Sequence, residues 1–455
     1  MKSAIPRDLA LRALNSPNRR PGFAERYLEK AFRQEPRLKG RDRAFAVHLV
    51  QGVLRWQLRL DWIIEQAVHF PFKEIEPPVL NILRLALYQI FFMDRVPESA
   101  AVNEAVKQAT AEGRKHVAGF VNGILRNVCR RKDQIAYPDA EKDRVLYLSV
   151  FHSYPTWIVE KWIRELGIDS TERLLAAGNR IPDLIIRSNS LKIDRPGLLK
   201  RLEGEGVVGN ATRYAPVGLR IEGVGGRPVN EWNSFREGLF QVQDEAAQIC
   251  SYLLCPKKGE AVLDMCAGLG GKTTHLAEFL KDRGRIVALD INHGRLVRLS
   301  KNAGRLGIGC MSAVVADAGA DTSFHSNVSF DKILVDGPCS GLGVLSRHPD
   351  GKWNKREEDL EELACVQKNI LDNAVTMLKK GGRLLYTTCT ISRDENDQVV
   401  HGFLEKNRQM ALMDLKARIP PWGHDLIDDW GFYRTFPHIH GTDGFFGALF
   451  IKRGV

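Results

Sequence analysis

Hydrophobic positions in the first 135 residues recur at intervals of three and four. Over 79–91, Val79, Leu83, Ala86, Leu87, Ile90 and Phe91 form one apolar stripe, the spacing of a helix with a single buried face. The same rhythm runs through FAERYLEKAF, DRAFAVHLVQGVLRWQLRLDWIIEQAV and AAVNEAVKQA, and Pro36, Gly40, Pro71 and the pair Pro77-Pro78 interrupt it. A helical bundle is the expectation. From 141 to about 240 the pattern changes: WIVEKWIRELG keeps helical spacing, and then DLIIRSNSLKI, PGLLKRLEGEGV and ATRYAPVGLRIEG alternate as strand, helix and strand. That suits a small α/β connector. Beyond 240, AVLDMC, RIVALDI, MSAVVAD, KILVDG and RLLYTTC are short, continuous apolar runs, and each after the first follows a helical segment. Runs of this kind are strands covered on both faces, so they predict a parallel, doubly wound α/β sheet of Rossmann-like type. The final stretch, GFYRTFPHIHGTDGFFGALFIKR, holds two further strand candidates joined by a turn at His440–Gly444. The expected domains are 1–138 (all-α), 139–238 (connector) and 239–455 (doubly wound).

Composition changes this picture mainly through charge. The chain has 455 residues, 44% hydrophobic and 27% charged, the balance of a soluble globular protein of two or three domains. Of its net charge of +11, +9 falls in residues 1–140. A basic module beside a nearly neutral one fits a polyanionic partner such as nucleic acid. Two basic clusters carry this charge, RALNSPNRR near the start and Arg126, Arg130, Arg131 and Lys132 at the end of a predicted helix. Either alone reads as a solvated helix end, and an RNA-facing surface is the alternative the asymmetry favours. The eight cysteines are scattered without a CxxC pair, which argues against a zinc ribbon or a disulfide framework. The opening MKSAIPRDLALRAL lacks the apolar run of a secretory signal, and the most apolar stretch, 79–92, is too short to span a bilayer. A cytoplasmic location is the expectation.

In LDMCAGLGGKTTHLAEFL a strand ends at Cys266, Gly268, Gly270 and Gly271 follow, and a helix begins near Lys272. Glycines there let the backbone approach a ligand, and the helix start offers free N–H groups. A nucleotide triphosphate loop needs a glycine where Cys266 stands, so that cradle is incomplete. A nucleoside site needs an acidic residue about 20 positions on, and Asp290 occupies that place at the end of the second strand. Asp264, Asp317 and Asp336 end other strands of the same sheet. Each alone could be a turn residue or a helix cap; as a series they line one rim, which suits the sulfonium of S-adenosylmethionine better than a triphosphate.

Two thiols share that rim. Cys339, in VDGPCSGLG, and Cys389, in YTTCTIS, follow two predicted neighbouring strands. A buried cysteine is ordinarily a small hydrophobe, yet these two stand among glycine, proline, serine and threonine. A thiol beside a methyl donor serves methylation at carbon 5 of a pyrimidine, a carbon that is a poor nucleophile until a thiolate adds at carbon 6. Lys272 could activate one thiol, a second thiol could help the elimination, and Asp336 could accept from the exocyclic amine of cytosine. These residues alone do not rank the two thiols.

The set LDMCAGLGGKTTHLAE, VALDI, VADA, DGPCSG, RHPDGKW, YTTCTISRDEN and HGTDGFFGALF resembles the bacterial RNA 5-methylcytosine methyltransferases of the Nop/Sun type, over about 240–455. The first helices, with AVNEAVKQA and GFVNGILRNVCRR, resemble the NusB-type RNA-binding bundle. This pairing is similar to that of small-subunit (16S) ribosomal RNA cytosine methyltransferases. The resemblance implies a class I methyltransferase fold, S-adenosylmethionine as cofactor, ribosomal RNA as partner, no metal, and a monomer. It implies that Cys266, Ala267, Gly268, Leu269, Gly270, Gly271 and Lys272 bracket the methionine part of the cofactor, that Asp290 binds its ribose, and that Asp317 approaches its adenine. Asp336 would line the cofactor and base pocket, Cys389 would be the nucleophile, and Cys339 would assist product release. The sequence departs from the family in one loop, where the usual CAAPGGK is CAGLGGK. The competing readings are a non-catalytic RNA-binding assembly factor with a degenerate α/β domain, and an NTPase.

Overall fold

The computed structural model describes residues 6–16, 22–35, 38–111, 115–223, 227–320 and 329–454. Pro36 and the 17–20 part of the cluster RALNSPNRR therefore lie outside the described residues. The chain divides into two compact units, Met1–Arg180 with Leu345–Lys355, and Ile181–Val344 with Arg356–Val455.

The described helices of the first unit are α1 (Pro6–Leu14), α2 (Phe23–Gln34), α3 (Gly40–Glu65), α4 (Pro77–Phe92), α5 (Glu98–Ala111), α6 (Lys115–Arg130), α7 (Arg144–His152), α8 (Thr156–Leu166) and α9 (Ile168–Gly178). Prolines open α4 at its first positions, where a missing N–H costs no hydrogen bond. Its predicted stripe, with Leu83, Ala86, Leu87 and Ile90, is buried. Helices α3 and α4 approach closely because Gly52 has no side chain: a Cβ there would lie 1.9 Å from the Tyr88 ring.

Two features differ from the expected domain spans. Helices α7–α9 belong to the helical unit, and so does the RHPDGKW segment, which the sequence reading assigned to the doubly wound domain. The reason is a kink. At Trp56 the backbone of α3 leaves helical geometry, which frees polar groups that must find partners. Ser153 Oγ accepts from the Leu58 N–H at 2.9 Å. The Leu54 carbonyl accepts from Trp353 Nε1 at 2.6 Å, and the Arg55 carbonyl from Lys352 Nζ at 3.0 Å. The segment 345–355 thus completes the broken helix.

The second unit begins with an antiparallel sheet of β1 (Leu184–Ser188), β2 (Val208–Ala211), β3 (Gly218–Gly223) and β4 (Phe240–Val242), in the order β2-β3-β1-β4. Helices α10 (Arg195–Glu203) and α11 (Asn233–Arg236) join it around Ile186, Leu198, Leu202, Trp232 and Phe240. Helix α12 (Glu245–Leu254) then leads into the large sheet of β5 (Ala261–Asp264), β6 (Arg285–Asp290), β7 (Met311–Val315), β8 (Phe330–Asp336), β9 (Leu378–Thr388), β10 (Met410–Met413), β11 (Tyr433–Thr435) and β12 (Phe445–Lys452). Its path is β10-β12-β9-β8-β5-β6-β7, with β11 paired to β12.

Strands β5 to β9 run parallel, as the continuous apolar runs predict, with α13 (Gly271–Phe279) between β5 and β6, α14 (His293–Leu306) between β6 and β7, and α15 (Asp359–Met377) between β8 and β9; the expected helical segment before KILVDG is not found among the described residues between β7 and β8. Helix α16 (Asp397–Lys406) precedes β10, and a helical turn, α17 (Pro437–His440), stands between β11 and β12. Strand β12 inserts between β9 and β10, antiparallel to both. The strand order reverses at β5 and β8, and the carboxyl ends of strands at such a reversal open a crevice where open α/β sheets bind ligands. No helix among the described residues is long and apolar enough to cross a membrane.

Candidate active site

The glycine loop leaves β5 at Asp264 and enters α13 at Gly271. Gly268 (φ 57°) and Gly270 (φ 83°) both take left-handed backbone. A Cβ at Gly270 would lie 1.8 Å from Leu299 Cδ1, so only glycine lets the loop rest on α14. At Gly268 a Cβ would meet nothing within 4 Å, so this face of the loop is open. The Gly268 N–H donates to Asp290 Oδ2 at 2.9 Å, and the other oxygen of Asp290 accepts from the Asn292 N–H at 2.7 Å. Asp290 therefore ties the loop to the end of β6. Leu269, in place of the family's proline, is 54% exposed, Cys266 is half-buried and Ala267 is buried.

Asp264 sits beneath the loop, fully buried, and accepts from Thr273 Oγ1 at 2.7 Å. Burial pushes its pKa up to about 7. Burial, joined by the charges of Asp264, Asp336, Asp290 and Asp317, also pushes the Cys266 thiol up, so that sulfur stays protonated. Asp317 lies two residues past β7, exposed, and accepts from the Gly319 N–H at 2.9 Å.

The two thiols meet. Strands β8 and β9 are parallel neighbours with Asp336 opposite Thr387, and the Gly337 N–H extends the pairing to the Thr387 carbonyl at 2.9 Å. The loops that follow bring Cys339 Sγ and Cys389 Sγ to 3.3 Å. Cys339 is pushed well above the usual thiol range, first by its hydrogen bond with Cys389, then by burial and by the charges of Cys389 and Glu395. Lys272 Nζ donates to Asp336 Oδ2 at 2.7 Å and lies 4.8 Å from the Phe445 ring centroid. Burial alone would lower its pKa, but the charges of Asp336, Cys250 and Cys389 outweigh burial and hold it above the usual lysine value. The second oxygen of Asp336 accepts from Thr387 Oγ1 at 3.0 Å. Lys272 and Asp336 thus form one ion pair beside the thiols, so the lysine charge is shared with a carboxylate.

Two buried networks escaped the sequence reading. Arg187 on β1 is fully buried; its Nε and Nη2 donate to Glu278 Oε1 at 3.1 and 2.8 Å. Its Nη1 donates to the Gly271 carbonyl at 2.7 Å and to the Gln243 side chain, and so the guanidinium clamps the first turn of α13. An arginine inside the apolar run LIIRS was the available signal. The second network surrounds Glu395, in the TISRDEN stretch, which is 0% exposed and receives the Ser340 N–H at 2.8 Å.

Known proteins match this architecture. A family profile described as 16S rRNA methyltransferase RsmB/F matches residues 251–451, a NusB family profile matches 4–130, and an RsmF/B-like ferredoxin-like domain profile matches 154–226. The chain is 34% identical over 456 residues to a probable ribosomal RNA small subunit methyltransferase B of Bacillus subtilis (strain 168), covering 100% of both chains. It is 33% identical over 422 residues to the ribosomal RNA small subunit methyltransferase B of an Escherichia coli strain (O6:K15:H31), covering 92% of each. Among solved structures, NSun6 from Pyrococcus horikoshii with SFG superposes with a TM-score of 0.60 at 25% identity, covering 67% of this chain and 100% of that one.

Proposed function

Since the chain belongs to the RsmB/F family of 16S rRNA methyltransferases, we propose that it methylates carbon 5 of a cytosine in small-subunit ribosomal RNA through a covalent adduct on Cys389. The observation that carries this reading is the 3.3 Å approach of Cys339 and Cys389 at the ends of neighbouring parallel strands. Ordinary packing gives no reason for two free thiols to meet on a polar rim.

The rim suits S-adenosylmethionine. The loop face at Gly268 leaves room for a ligand, and Asp290, Asp317 and Asp336 end strands or follow them on one edge of the sheet. Residues 266–272 would hold the methionine part, Asp290 the ribose, and Asp317 the adenine side; bound there, the cofactor supplies an electrophilic methyl group. The Cys389 thiolate adds to carbon 6 of the cytosine, and the electron pair displaced from the ring double bond makes carbon 5 nucleophilic. Once carbon 5 carries the methyl group, transfer of its proton to a base restores the double bond, and the carbon 6–sulfur bond breaks with its electron pair leaving on Cys389 as a thiolate. Cys339 assists that release. Asp336, held by Lys272 and Thr387, is the acceptor for the exocyclic amine of a base splayed from its stack.

The RNA partner is supported by the exposed Arg126, Arg130 and Arg131 at the end of α6. Lys132 contributes less, because it donates to Glu98 at 3.1 Å and to the Ile90 carbonyl at 3.0 Å. Protein-free small-subunit RNA incubated with the protein and methyl-labelled S-adenosylmethionine is expected to carry label on carbon 5 of a cytosine. Label on another atom or base rejects the chemistry. Cys389→Ala is expected to abolish transfer, and Cys339→Ala to accumulate a protein–RNA adduct visible on a denaturing gel. An adduct with Cys389→Ala instead would exchange the two roles.

A further inference from the structure

We infer that Glu395 is a positioning residue for both thiols, its buried carboxylate pinning the Cys339 loop to the Cys389 loop. The inference rests on the methyltransferase reading above and deepens it. Ser340 directly follows Cys339, and it gives Glu395 both its N–H, at 2.8 Å, and its hydroxyl. The same hydroxyl lies 2.8 Å from Thr390 Oγ1, and Thr390 directly follows Cys389. Gln367 closes the other side: its Nε2 donates to Glu395 Oε1 at 3.2 Å and to the carbonyl of Pro338, the residue before Cys339, at 2.8 Å. Behind the carboxylate, the Tyr386 hydroxyl lies 2.6 Å from the Glu395 carbonyl and 2.9 Å from Gln367 Oε1, sharing its one proton between these acceptors, which fixes the backbone that carries Glu395. One carboxylate therefore bonds the residue after Cys339 directly, and reaches the residue before Cys339 through Gln367 and the residue after Cys389 through Ser340.

Such an arrangement is costly to bury. Among the described residues, the groups bonded to Glu395 are an amide N–H, hydroxyls and a carboxamide, none of them a cation. Burial accordingly raises its pKa. A site that only needed filling would be served by an apolar side chain. The charge has an electrostatic consequence as well: with the Cys389 hydrogen bond and burial, it raises the pKa of Cys339. Favouring the protonated form of Cys339 keeps a thiol proton 3.3 Å from Cys389 Sγ. Glu395 thus holds the distance between the two sulfurs and favours the protonated form of Cys339.

Glu395→Gln keeps the size of the side chain, removes its charge and turns an acceptor into a donor facing Ser340. The expected result is cofactor affinity within about twofold of wild type and single-turnover methylation slowed roughly ten- to a hundredfold, the scale of a displaced reacting group. The pH at which iodoacetamide half-alkylates Cys339, followed peptide by peptide by mass spectrometry, is expected to fall, because removing a neighbouring negative charge favours the thiolate. A merely structural glutamate would not move that pH. Wild-type values for both the rate and the alkylation pH overturn the inference. Should Glu395→Gln lose cofactor binding, Ser340→Ala decides: it deletes the bridge to Thr390 but keeps the N–H, so slowed transfer at unchanged cofactor affinity supports the inference and an unchanged rate overturns it. Absence of cytosine methylation by the wild-type protein would defeat the proposed function alone, because the alkylation arm needs no RNA.

Discussion

Arg187, in the second unit, and Lys352, in the first, are both fully buried cations, and their surroundings stabilise them differently. Arg187 meets a full countercharge, Glu278, together with the Gly271 carbonyl. Lys352 meets dipoles: the carbonyls of Arg55 and Ser153 at 3.0 and 3.1 Å, Asn179 Oδ1 at 2.7 Å, and the Tyr154 ring with its centroid at 3.6 Å. The Lys352 donors are satisfied while its charge is not, and burial pushes its pKa well below the usual lysine value. For Arg187 burial also lowers the pKa, but the charge of Glu278 opposes the shift. The start of α13, after the glycine loop, is thus anchored by an ion pair, whereas the segment that repairs a kinked helix is anchored by hydrogen bonds. The two anchors should fail differently.

The largest effect is expected from Glu278→Ala, which leaves the Arg187 charge buried without its partner. Loss of one member of a buried pair costs about 3–5 kcal/mol, measured by urea unfolding, and the loosened first turn of α13 should also weaken cofactor binding. A loss below about 1 kcal/mol would mean that the pair behaves like a surface salt bridge and would break the comparison. Asp264 sharpens it as a buried carboxylate whose bonds come from Thr273 and a backbone N–H. Its folded pKa of about 7 lies above its unfolded value, so the native state holds the proton more tightly. Its contribution to stability is fully present below the ordinary carboxylate pKa and is lost as pH rises to about 7, by an amount on the order of a few kcal/mol. Asp264→Asn is expected to flatten thermal stability between about pH 4 and 7, and an unchanged slope would show that the carboxyl is ionised at little cost.

The smallest effect is expected from Lys352→Met, which keeps the stem and removes the uncompensated charge while leaving three acceptors without a donor. The expected loss is about 1–3 kcal/mol near neutral pH, the cost of unsatisfied buried acceptors. Because the folded pKa of Lys352 lies below its unfolded value, the native state binds fewer protons, and wild-type stability should rise with pH towards the ordinary lysine pKa. The Met variant should lack that gain; if it retains it, another group is responsible.

Much of the site was legible because its residues follow strands. A parallel strand written as a continuous apolar run ends abruptly at its first polar residue, so Asp290, Asp336, Cys339 and Cys389 could be assigned to one edge before any coordinates. Gly270 was legible for a related reason, since a glycine-rich turn between a strand and a helix has few alternatives. Glu395 and Arg187 were not, because their meaning lies in partners 55 and 91 positions away. Local pattern carries no information on such pairs; an arginine in a strand or a glutamate in a loop reads as exposed until its neighbours are known.

Periodicity and strand-end chemistry, both properties of neighbouring residues, were enough to determine the helical unit, the doubly wound sheet and the rim on which two sulfurs stand. Tertiary structure alone decided the 3.3 Å between those sulfurs, the capture of Lys272 by Asp336, and the use of 345–355 to complete a kinked helix far away in the chain but in the same unit. Each of these depends on burial, which strengthens or penalises a charge according to groups brought from far along the chain.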